Sequence, residues 1–230
     1  MTLETSVVNP GYLKELDVSG RGIAELDLSP FPALETLHCG NNKLTKLDLS
    51  HNRNLKVLSC FNNQLNELEL STNNCLVELY CSNNALIQLD ISKMEWLRKL
   101  WCFNNRILRL DLQNTPAVEI LFCYNNLLDN IDLSKLTNLQ MLNCRDNRLS
   151  QLDLSFNEDL EILYCSGNQL TSIDVSFLPK LEALYCYSNK IQQLDLSCNY
   201  ALELLYCYGN DLADLDTSLT PRLRHLRWQG

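Results

Sequence analysis

The residues best suited to chemistry in this 230-residue chain are its 11 cysteines and 28 carboxylates. Nine cysteines recur every 21 residues, at Cys39, Cys60, Cys81, Cys102, Cys123, Cys144, Cys165, Cys186 and Cys207. A column of thiols in one phase invites three readings: disulfides, a metal centre, or apolar filler. On neighbouring strands its Cβ atoms would lie about 4.8 Å apart and point the same way, against about 3.8 Å in a good disulfide. Nine is also odd, so the column cannot pair completely. A thiolate metal centre needs four sulfurs around one point, and a single file offers two neighbours at most. The remaining reading is that each thiol fills a small buried apolar space. Cys75 and Cys198 fall outside the column, in turns, and are the candidates for exposed free thiols.

The carboxylates form a second column: Asp27, Asp48, Asp90, Asp111, Asp132, Asp153, Asp174, Asp195 and Asp216, with Glu69 in the gap. Stacked carboxylates repel one another in the absence of partners. Calcium demands six to eight oxygens, more than a single file supplies per site. Turn chemistry fits better, with Asp accepting local backbone N–H bonds. The three histidines, His38, His51 and His225, sit on different repeats with no nucleophile in reach. No glycine-rich phosphate loop, HExxH or paired CxxC occurs. The expectation is a non-enzymatic chain with no catalytic residue, metal or cofactor.

A fixed short period means a solenoid, in which each unit stacks on the next. The unit is clearest at Leu34–Asn54 and can be written LxxLxCxxNxLxxLDLSxNxx. Leu37 and Cys39 alternate with His38 and Gly40, the two-residue period of a short strand with Leu and Cys inward. Asn42 heads a column running to Asn210, whose amides can satisfy backbone groups buried at the bend. Leu44, Leu47 and Leu49 supply the inward side of the return segment. So short a unit leaves little room for a helix there, so extended or single-turn 3₁₀ structure is expected. Residues 1–12 read as an irregular segment or partial cap, and 13–230 as ten repeats plus a partial C-terminal one. The first repeat has Val18 at the cysteine position; residues 212–230, with Trp228 there, read as a cap.

The chain is 46% hydrophobic, enough for a continuous core, and its net charge of −9 argues against binding a phosphate backbone. No stretch is long and apolar enough to span a membrane, and the N-terminus lacks signal-peptide order.

The LxxLxCxxNxL motif resembles the leucine-rich repeat. Its length and cysteine column are similar to a bacterial subclass that includes internalin J of Listeria and many Bacteroidetes surface proteins. The resemblance implies a right-handed, curved solenoid with a parallel sheet on its concave side and a protein bound along that sheet. It also implies a bacterial cell-surface or secreted protein; a cytoplasmic or translocated protein is the alternative.

Three positions per strand should face outward on the concave sheet: three before, one before and one after the cysteine. Eleven of the 18 aromatics fall on the last two: Phe61, Tyr80, Trp101, Phe103, Phe122, Tyr124, Tyr164, Tyr185, Tyr187, Tyr206 and Tyr208. Ladders of stacked neighbours stabilise a sheet but do not explain why most aromatics share one face. An apolar face of this size marks a binding surface, and with Arg145 these residues form the candidate partner site. Arg145 reads either as an anchor for a partner carboxylate or as a salt bridge to Asp146. Asn143, Arg145 and Asp146 form a seam between the upstream and downstream aromatics. Glu119, Glu161, Glu182 and Glu203 give the sheet an acidic margin suited to a partner with basic groups. A protein partner is the first expectation. A glycan-binding adhesin and a self-associating scaffold are the alternatives, with no nucleic acid and no membrane insertion.

Overall fold

The computed structural model describes residues 9–228. The first eight residues of the segment read above as irregular or a partial cap lie outside the described residues. Pro10–Tyr12 forms one 3₁₀ turn, whose entry Asn9 caps by accepting a bond from the Gly11 N–H at 3.1 Å.

Eleven three-residue strands follow in chain order: β1 Glu15–Asp17, β2 Thr36–His38, β3 Val57–Ser59, β4 Glu78–Tyr80, β5 Lys99–Trp101, β6 Ile120–Phe122, β7 Met141–Asn143, β8 Ile162–Tyr164, β9 Ala183–Tyr185, β10 Leu204–Tyr206 and β11 His225–Arg227. They form one parallel sheet in sequential order, each residue pairing with the one 21 positions later. The chain is therefore a solenoid of about ten turns.

The inward columns behave as the periodicity predicts. The mid-strand leucines from Leu37 to Leu205 and all nine column cysteines have no exposed surface. Every cysteine is free. Burial pushes the thiols up, to about 12 for Cys39, Cys102 and Cys144. They are thus neutral filler at ordinary pH. Cys75 is exposed and Cys198 half-buried.

The asparagine column ties each turn to the one before it. Asn126 Nδ2 donates to the carbonyls of Cys123 and Cys102, both at 3.0 Å, and its Oδ1 accepts from Ile107 N–H at 2.9 Å. The same pattern recurs at Asn63, Asn84, Asn105, Asn147, Asn168 and Asn189. Without it, each inward bend would bury unpaired carbonyls and N–H groups.

The residue before each of these asparagines takes a left-handed conformation, with φ between 51° and 56° at Asn41, Asn62, Asn83, Asn104, Asn125, Asp146 and Ser188. Gly20, Gly167 and Gly209 fill the same position with φ of 64–68°. The sheet ends at this bend.

The return segment is extended, then closes through two successive turns of the i to i+3 kind. Asn52 N–H donates to Leu49 O, and Leu55 N–H to Asn52 O. Regular 3₁₀ helix occurs only at Pro10–Tyr12 among the described residues. The Asp column supplies turn chemistry: Asp48 Oδ1 accepts from Ser50 N–H at 3.0 Å, and Asp90, Asp132 and Asp195 repeat the bond. The serine hydroxyls and N–H groups hold these carboxyls below the usual carboxylate range.

In β11 all three residues are exposed. Trp228, at the cysteine position, packs half-buried against the core. Among the described residues no helix is long and apolar enough to cross a membrane.

Candidate functional site: the concave aromatic face

The strand alternation that buries Leu and Cys turns the flanking residues to the opposite face. All twelve sequence-identified residues lie there, each half-buried. They sort into two groups of rings separated by one turn.

Upstream, Tyr80 meets Trp101 edge to face at 4.9 Å, and Trp101 stacks on Phe122 at 5.4 Å. In the neighbouring column Phe103 stacks on Tyr124 at 4.3 Å, 7° from parallel. The Arg145 guanidinium lies over the Tyr124 ring, 4.7 Å from its centre. Downstream, Tyr164 stacks on Tyr185 at 4.3 Å and Tyr185 meets Tyr206 edge to face at 5.2 Å, while Tyr187 and Tyr208 stack at 4.8 Å. This group also ends in a guanidinium, with Arg227 lying 5.2 Å from the Tyr206 ring centre.

The seam is therefore narrower than the sequence suggests. Arg145 continues its column by a cation–π contact, the planar stacking for which arginine is suited. It also approaches Asp146 at 3.6 Å, too long for a hydrogen bond. The break is Asn143, nine-tenths buried, which leaves Phe122 and Tyr164 without a ring between them.

Stacking also changes how much apolar surface is open. The rings cover one another, and none is among the most exposed apolar side chains of the molecule. Those are found elsewhere, as at Trp96 (66% exposed), Tyr200 (58%) and Phe156 (53%). Phe156, Phe177 and Leu219 share one column on successive or next-but-one turns, preceding the strands by several residues. Sequence reading overlooked this stripe; spelling out the residue nine before each cysteine would have found it. The exposed asparagine ladder beside the face was missed too. In it Asn62 donates to Asn41 and Asn125 to Asn104, both at 2.7 Å. The run of Asn, Asp and Gly at that position was the available signal, because these residues best tolerate φ near +55°.

Charge differs between the two groups. Upstream, Glu78 accepts from the Tyr80 hydroxyl at 2.6 Å and from Lys99 at 2.9 Å. Burial works against the Glu78 carboxylate, yet these partners outweigh it and hold its pKa below the usual value. Burial and Glu78 push the Tyr80 hydroxyl up. In the margin column Glu119 is matched by Arg98 and Glu35 by Lys14 and Lys56. The lysines hold Glu35 at about 2. Downstream, Glu161, Glu182 and Glu203 have no ion-pair partner among the described residues. Burial, then the neighbouring Tyr164, pushes the Tyr185 hydroxyl up.

The upstream group encloses a depression of about 400 Å³ lined by His38, Ser59, Phe61, Tyr80, Ser82, Trp101 and Phe103, with Asn62 and Asn83 at its rim. Phe61 belongs to neither stack. Its ring leans over Gly40, where a Cβ would stand only 2.7 Å from it. No group of three or more metal-ligating side chains converges among the described residues.

The family description "Leucine Rich repeats (2 copies)" matches residues 158–198. No curated protein matches the chain by sequence. Among solved structures, the chain is similar to the functional domain of InlJ from Listeria monocytogenes, which includes a cysteine ladder. The two share 33% identity and a TM-score of 0.86, over 94% of this chain and 53% of that one. The chain thus spans about half the length of that relative. It is also similar to the leucine-rich repeat ectodomain of the Arabidopsis thaliana receptor kinase GASSHO1/SCHENGEN3, solved in complex with CASPARIAN STRIP INTEGRITY FACTOR 2. There the identity is 27% and the TM-score 0.81, over 88% of this chain and 28% of that one. A Leptospira interrogans leucine-rich repeat protein, 21% identical over 96% of this chain and 74% of its own, shares the fold with a TM-score of 0.71. With nine buried thiols stacked at a 21-residue period on an eleven-stranded parallel sheet, this chain is a leucine-rich repeat protein of the cysteine-ladder type.

Proposed function

We propose that the chain is a non-enzymatic binding module that takes a protein partner on its concave face. The observation that carries this reading is the convergence of eleven aromatic side chains and two arginines on two adjacent columns of one open sheet. Tyr, Trp and Arg are the residues that dominate interface hot spots. Stacking holds the rings in place, so a partner meets a surface whose ordering cost is already met. The unpaired Glu161, Glu182 and Glu203 favour a partner that brings basic groups to the downstream margin. The setting we propose is adhesion, host interaction or inhibition of a partner, at a bacterial surface or after secretion, as the resemblance to the internalin J subclass implies.

The test is capture from host-cell and bacterial lysates by the chain beside a Trp101→Ala/Tyr185→Ala variant. A protein held by the first and lost by the second supports the concave site. Equal capture by both removes it.

A further inference from the structure

We infer that the depression above Ser82 is a socket for one aromatic side chain of the partner, an inference that rests on the protein-binding reading. Columns of rings on this face follow the strand spacing, about 4.8 Å per turn. In the column one after the cysteine, Ser82 stands where Phe61 and Phe103 carry rings on the turns before and after. One ring place is therefore vacant in a row of rings. The two flanking rings are drawn away from the gap, Phe61 onto Gly40 and Phe103 onto Tyr124. Ser82 and Ser59 form the floor, only 2% and 5% exposed, and Tyr80 and Trp101 close a side.

Charge selects an uncharged occupant. Glu78, the carboxylate beside this wall, is already matched by Lys99 and Tyr80. A cation entering here would find no free counter-charge, unlike one along the downstream margin. The lining is largely aromatic, with His38, Phe61, Tyr80, Trp101 and Phe103 around it, so a flat, uncharged ring such as a tyrosine side chain finds ring faces and edges to pack against.

The test uses p-cresol as the probe of such a side chain and methyl glucoside as the probe of a sugar, with amide and indole NMR shifts on the whole chain. Ser82→Phe restores the missing ring; Phe61 and Phe103 show that the column accepts it. Ser82→Ala leaves the gap open. We expect p-cresol to shift the Trp101 indole and the Phe61 and Phe103 amides in the wild type and in Ser82→Ala, and to bind at least tenfold more weakly to Ser82→Phe. Unchanged binding to Ser82→Phe overturns the socket, as does methyl glucoside shifting the same residues at lower concentration. A concentration-dependent dimer that Ser82→Phe dissolves also overturns it, since the occupant is then a second copy. Should a captured protein be lost by Trp101→Ala/Tyr185→Ala but kept by Ser82→Phe, the concave site stands and the socket falls. If both variants keep it, both readings fall.

Discussion

Cys81 and Ser82 are adjacent, yet they belong to columns that behave in opposite ways. From Cys39 to Cys207 the inward column holds one residue type through nine successive turns, all fully buried. One residue further on, the outward column runs Gly40, Phe61, Ser82, Phe103, Tyr124, Arg145, Ser166, Tyr187 and Tyr208. Each inward position meets the same space on every turn, because the turn above and the turn below are copies of its own. Overfilling or underfilling that space disturbs two neighbours as well. The outward position lies on the open side of the sheet, where no copy of the repeat packs over it, so its content can differ turn by turn at little cost to the stack. Stability thus resides chiefly in the repeated inner columns, and the recognition proposed above would reside in the varied outer ones, so the two should respond to different substitutions.

The largest expected effect attacks the inner column alone. The nine column thiols have raised pKa values in the folded chain, about 12 at Cys39, Cys102 and Cys144 and about 11 at Cys207. Below the ordinary thiol value both folded and unfolded chains keep these protons. Above it only the unfolded chain loses them, so stability falls as pH rises through the window from about 9 towards 12. Each thiol contributes up to ~1.4 kcal/mol per pH unit, and nine together reach roughly 10 kcal/mol by about pH 10. Alkaline unfolding followed by circular dichroism should therefore be steep, and Cys123→Ala should shallow it by about one proton. A transition as steep in a chain lacking several of these thiols would contradict the account.

Asn126→Leu comes next, with an expected loss of about 3 kcal/mol in denaturant unfolding, because it strands the Ile107 N–H and removes donors to two buried carbonyls. Asn157→Leu sharpens the point. That amide donates to the Leu133 and Leu136 carbonyls at 3.2 and 2.8 Å, but its Oδ1 accepts no bond, so no N–H is stranded by its loss, and Leu136 and Leu178 fill the same place on adjacent turns. Its replacement should cost less than that of Asn126, about 1 kcal/mol.

Much of this inner wall was legible in the sequence, because burial imposes a period. The strand, the inward Leu and Cys, the bridging asparagines and the Asp turns all follow from residue types that recur 21 apart. The face was legible as a list of residues but not as a surface. Nothing in the spacing of Tyr124 and Arg145 says that the guanidinium would lie on the ring, or that Arg227 would do the same to Tyr206. The vacancy at Ser82 likewise depends on which way Phe61 and Phe103 lean. Such tilts are settled by contacts between neighbouring side chains, here with Gly40 and Tyr124, and not by the repeat. The second asparagine ladder failed to register because it shares its residue type with the first, and its cause is backbone conformation, not hydrogen bonding.

On the outer face the expected stability effects are smaller. Trp101→Ala removes an edge-to-face contact with Tyr80 and a stack on Phe122, about 1–2 kcal/mol in all. The fold should survive while partner capture is lost. A variant that unfolds before it loses its partner would erase the distinction between the two kinds of column.

The smallest effect lies on the boundary between them, at the left-handed bend that ends each strand. There the chain places Asn, Asp or Gly on every turn except at Ser188, which holds φ of 54°. Serine lacks the ease with which glycine adopts this conformation, and a Cβ in this region costs roughly 1 kcal/mol. Ser188→Gly should therefore raise the melting temperature by about 2–4 °C. It should leave binding unchanged, since Tyr187 remains stacked on Tyr208 beside it. Ser188→Val should lower the melting temperature by more than the glycine raises it, because a β-branched side chain is a severe outlier at positive φ. If instead the glycine variant weakens capture, the bend is not merely the frame of the face, and the division between repeated interior and varied surface has to be redrawn to include it.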